Sequence, residues 1–98
     1  MKFAIHYNAT EVPFYDLIFD DGKAVETLRI PEDFFFDLMS GSPVEYEKIS
    51  GAADSPKAEI TDSGEFTREN GNIVIKGGKT KGRLSFDKGA GTMTLLPL

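Results

Sequence analysis

Apolar and polar side chains alternate with a period of two along most of this chain, which predicts a succession of short β-strands. The first covers residues 2–7. After a turn at 9–13, residues 14–20 follow, with Tyr15, Leu17 and Phe19 on one face and Phe14, Asp16, Ile18 and Asp20 on the other. Asp20-Asp21-Gly22 reads as a type I′ hairpin turn, because Asp-Gly tolerates the positive φ it needs. The returning strand, 24–30, sets Val25, Thr27 and Arg29 against Glu26, Leu28 and Ile30.

The period changes once. Pro31 suits a first helical position, and Glu32 and Asp33 suit the positive end of a helix dipole. Phe34, Phe35, Leu38 and Met39 then form one apolar stripe that Ser40-Gly41 ends, and this stripe is expected to lid the core. Six further strands are expected at 44–49, 57–61, 65–68, 72–76, 80–86 and 92–96. The turns between them fall at Asp62-Ser63-Gly64, Glu69-Asn70-Gly71 and Gly77-Gly78. The fold class is therefore mainly β: a small antiparallel β-barrel of about eight to nine short strands, with one short helix near 32–40. Ninety-eight residues make one domain, 1–98.

Composition removes several kinds of chemistry. The chain has no cysteine and a single histidine, His6, so a thiolate zinc site or a His₂ metal site is excluded. Absence of cysteine, of an apolar leader and of any run of about 20 apolar residues fits a cytoplasmic protein that does not enter a membrane. The net charge is −5, which opposes binding to nucleic acid through phosphate neutralisation. The charge is uneven: residues 1–75 hold fifteen acids and six bases, and residues 76–98 hold one acid and five bases.

Gly78-Lys79-Thr80 resembles the end of a phosphate-binding loop, but the glycine required five residues earlier is Ile73. Lys79, Lys81 and Arg83, with the glycines beside them, offer a phosphate or anion cradle, or else a solvated face. His6 on the first strand reads first as a hydrogen-bonded structural residue. Asp16, placed mid-strand, needs a cation, a donor or water.

In order, the segments resemble a known family. Phe3-Ala-Ile-His-Tyr-Asn-Ala-Thr-Glu-Val-Pro-Phe-Tyr-Asp-Leu-Ile-Phe-Asp20 is similar to the opening motif of the 3′-phosphoesterase domain of bacterial DNA ligase D. Leu28-Arg-Ile-Pro31, Ser42-Pro-Val-Glu-Tyr46 with Ser50-Gly51, and Ile73 to Phe86 with its Lys81-Gly-Arg83 resemble later segments of it. The resemblance implies a compact β-barrel that trims 3′-phosphates and ribonucleotides from DNA ends with a divalent metal such as manganese. It also implies which positions would do this work. The two metal-binding histidines fall on Asn8 and Phe14, and the aspartate is kept as Asp16. The phosphate-holding arginine falls on Ile18, the third histidine on Ser42, and the tyrosine is kept as Tyr46. The stretch 52–57 lacks the glycine-rich loop of that family.

The expectation is a catalytically inactive relative, serving as a binding or interaction module with no cofactor and with a protein as its partner. One alternative is a residual metal-dependent hydrolase in which His6, Asn8, Asp16 and Tyr46 act on 3′-phosphate ends or a small phosphate compound. Another is an anion or nucleic-acid binder working through the basic hairpin 76–83.

Overall fold

The computed structural model describes residues 1–50 and 58–98. Strands β1 (Lys2–Asn8), β2 (Phe14–Asp20) and β3 (Val25–Pro31) form an antiparallel meander. Helix α1 (Glu32–Met39) and the short β4 (Val44–Glu45) and β5 (Glu47–Ser50) follow. The chain ends with β6 (Ala58–Glu69), β7 (Asn72–Gly77), β8 (Lys81–Asp87) and β9 (Thr92–Leu96). All nine strands belong to one sheet, ordered β4-β9-β8-β7-β6-β1-β2-β3-β5.

The two edges of that sheet, β4 and β5, are separated in sequence by Tyr46 alone. The sheet therefore curls into a nearly closed antiparallel barrel whose seam is bridged by the chain itself. The alternation over 44–49 predicts one strand. The structure divides it, because Val44 and Glu45 pair with β9 while Glu47 to Ser50 pair with β3. Periodicity is the same for either partner, so the pattern does not register the switch.

A second difference lies at Asp62-Ser63-Gly64, where a turn was expected. One strand, β6, runs through it, with a register shift opposite Ile5 and His6. Gly64 serves close approach rather than reversal: a Cβ there would stand 2.5 Å from the Lys76 carbonyl oxygen and 3.1 Å from the Phe3 ring. The expected strand start at Lys57 and the loop 52–57 lie outside the described residues.

Alternate residues of each strand fill the barrel. Phe3, Ile5, Leu17, Phe19, Leu28, Ile30, Phe66, Ile73, Ile75, Leu84, Met93 and Leu95 form the buried core. Leu38 of α1 is fully buried against it, and Phe35 stacks on Tyr15 with ring centroids 3.9 Å apart. The rest of the expected stripe is looser. Phe34 and Met39 stay partly exposed, and Phe36, outside that stripe, is 76% exposed. An eight-residue helix laid over a barrel end buries only the side chains aimed down the bore. Among the described residues no helix is long and apolar enough to cross a membrane.

Candidate functional site

The β2–β3 hairpin makes the site. Its turn is wider than the expected two-residue form: Asp20 pairs with Val25, and the Asp21 carboxylate accepts the Lys23 and Ala24 amides. Those amide bonds, Ala24 first, hold the Asp21 carboxyl below its ordinary value. This register sets Asp16 opposite Arg29 on the face turned away from the core. Arg29 donates from Nε to Asp16 Oδ1 at 2.8 Å and from Nη2 to Oδ2 at 3.2 Å. Asp16 is buried at 1% exposure, yet both of its oxygens are engaged by a planar fork that matches them.

Phe14 packs flat under the guanidinium, with the Arg29 Cζ 4.0 Å from the ring centroid. The Asp16 hydrogen bonds, with the charges of Asp16 and Glu47, raise the Arg29 pKa further, outweighing the opposing effect of burial. Arg29 Nη1 has no partner among the described residues, and Arg29 lines an open cavity of about 380 Å³. Val12, Pro13, Phe14, Pro31 and Phe34 supply its apolar wall, and Glu45, Tyr46 and Glu47 its other side.

The sequence-derived candidates separate on this geometry. Tyr46 and Phe14 line the cavity, whereas Asp16 lies behind Arg29 and does not line it. His6 is the register partner of Asp16, and Asn8 the partner of Phe14. Asn8 is buried, and its Oδ1 and Nδ2 have no partner among the described residues. Ile18 is opposite Thr27, outside the cavity lining, and Ser42 ends the helix, its amide donating to the Asp37 carbonyl. Among the described residues no three His, Asp or Glu side chains are grouped as a metal site.

The basic hairpin is also divided. Lys81 and Arg83 are exposed on β8, while Lys79 sits in the loop before it. That loop does form an anion cradle, and the chain fills it. Asp62 accepts the amides of Gly78 (3.2 Å), Lys79 (3.1 Å) and Thr80 (2.7 Å), together with its neighbour Ser63 (2.9 Å). Burial pushes the Asp62 pKa up, but bonds from the Thr80 hydroxyl and from these amides outweigh it, and the carboxyl stays below its ordinary value. The glycine-exposed amides of residues 78–80 are therefore spent on an internal carboxylate.

Arg29 was not singled out among the candidate residues. The available signal was the hairpin register, which depends on the length of the turn. A two-residue turn at Asp21-Gly22 would have set Asp16 opposite Thr27 instead. No protein-family model matches the chain, and no curated protein and no solved structure is similar to it.

Proposed function

We propose that this chain is a binding module without catalysis of its own, taking an extended peptide segment that carries a basic and an apolar side chain. One observation carries the reading: Arg29, fixed by Asp16 and Phe14 and with no partner for Nη1 among the described residues, lines the cavity. A guanidinium immobilised before the ligand arrives loses little entropy on binding. Its charge is balanced by Asp16, which leaves Glu45 and Glu47 to set the sign at the cavity mouth. That combination suits a backbone carbonyl on Nη1, an apolar side chain on Phe14, Pro31 and Phe34, and a Lys or Arg beside the glutamates.

The same geometry argues against the hydrolase alternative. Asp16, the metal-ligand position kept in the resemblance to the phosphoesterase family, has both oxygens engaged, and releasing them would leave Arg29 unpaired. A barrel of that descent, cytoplasmic as its cysteine-free composition suits, would then keep the scaffold and use the region for recognition.

Selection from a random peptide library displayed on phage tests this. Enriched sequences should pair Lys or Arg with Pro, Leu or an aromatic residue. Glu47→Lys should lower their affinity about tenfold, the loss of one charge-assisted contact. Failure to enrich any sequence, or enrichment of acidic peptides, would overturn the reading.

A further inference from the structure

We infer that one end of the barrel, where the β2–β3, β6–β7 and β8–β9 turns lie, carries a second binding site, for a small dianion of the phosphate-monoester or dicarboxylate class. It shares Tyr46 with the Arg29 cavity but does not depend on the peptide reading. Between β3 and β5 on one side and β6, β7 and β8 on the other, a cavity of about 200 Å³ opens, lined by Glu26, Lys48, Arg68 and Lys88 and by Tyr46 and Phe86.

The placement of these charges is the central observation. Lys48 is the register partner of Leu28, and Arg68 that of Ile73, so both basic residues occupy core-facing positions of their strands. Glu26, opposite Phe19, does the same. At the barrel end these side chains reach solvent, Lys48 at 68%, Arg68 at 43% and Glu26 at 26% exposure. Here the counter-charge is incomplete. Glu26 Oε2 lies 3.1 Å from Lys48 Nζ, and Oε1 only within 3.7 Å of Arg68 Nη1. Lys88 has no carboxylate within ion-pair reach among the described residues. Three cations and one anion leave the lining with two positive charges, in a chain whose net charge is −5.

A dianion would complete the balance. The guanidinium and two ammonium groups supply donors for its oxygens. The edge-on ring pair of Tyr46 and Phe86, with centroids 5.7 Å apart, offers a wall for an organic remainder. The expected anion site at Lys79, Lys81 and Arg83 lacks this convergence, since Asp62 takes up its amides.

The test is a titration of the isotope-labelled chain followed by amide NMR, with inorganic phosphate and succinate in separate arms at constant ionic strength. The expected result is saturable shifts gathered at Lys48, Arg68, Gly71 and Lys88, and the arm that saturates identifies the source of the dianion. Lys88→Ala, at an exposed position, should weaken binding about tenfold, and Glu26→Gln should tighten it about threefold by freeing both cations. Linear shifts in both arms, or saturation unmoved by Lys88→Ala, would overturn the site. Either would leave Lys48 and Arg68 as solvated charges at the end of the barrel.

Discussion

Asp16 and Asp62 are both carboxylates held by several donors, but their surroundings leave different things over. Asp16 is gripped from across a hairpin by one side chain, which lines a cavity and has a nitrogen with no partner among the described residues. Asp62 is gripped by a run of backbone amides that have nothing further to offer. The first arrangement places an ion pair beside an open cavity, the site proposed above for recognition. The second closes a loop and ends there. A carboxylate with good partners is thus functional or structural according to where the partner's unused donors point.

Substitutions can break this contrast in order of size. Arg29→Met should have the largest effect, about 3–5 kcal/mol in denaturant unfolding, because it strands a buried carboxylate. Asp16→Asn should cost less, about 2 kcal/mol, since Arg29 is one-third exposed and can turn to water. Equal losses for the two would show that Asp16 is not the buried partner. Asp62→Ala should cost about 1–2 kcal/mol, with water replacing the carboxylate at the exposed amides of Gly78 and Lys79.

The two ends of the contrast also differ in pH behaviour. The folded pKa of Asp62 lies below its unfolded value, so its contribution is fully present above the unfolded pKa near 4. It is lost as the pH falls through the folded value. The difference in stability between the parent and Asp62→Asn should therefore shrink steadily below about pH 4. A difference that stays constant down to pH 2 would remove Asp62 from the acid-sensitive groups.

Asn8 sharpens the comparison from the other side, as a buried polar group whose two polar atoms have no partner. Asn8→Leu should raise stability by about 1 kcal/mol, because the unsatisfied amide costs more than it returns. A loss would show that the side chain is bonded in solution. Smallest of all, Lys81→Ala and Arg83→Ala should each stay within about 0.5 kcal/mol, as exposed charges away from any cavity do.

Much of this was legible in the residues. Strand alternation, a helix near Pro31 (which ends β3 and caps a helix that begins at Glu32, one residue later than expected) and the Asn70-Gly71 reversal are local signals, and the barrel follows from them. Asn70 and Gly71 both take the positive φ that such a turn demands. The ion pair of Asp16 with Arg29 was within reach, lost only through the length of one turn. The remaining contacts were not. Asp62 meets residues 78–80 by continuing the β6–β7 register past Gly64 and Gly77, Glu26 meets Lys48 diagonally across the β3–β5 pair, and the Glu26–Arg68 contact needs closure of the nine-stranded sheet. No spacing along the chain encodes which side chains that closure brings together. Gly64 shows the same limit: it reads as a turn residue until the Phe3 ring and the Lys76 carbonyl are seen against it.

The central claim is that the Asp16 carboxylate belongs to Arg29 and is not free to hold a metal. A manganese titration observed through paramagnetic broadening of backbone amides tests it most directly. Weak broadening scattered over the exposed acidic surface is expected, with no preference for residues 6, 8 and 16. Selective broadening at His6, Asn8 and Asp16, complete near one equivalent of manganese, would contradict it.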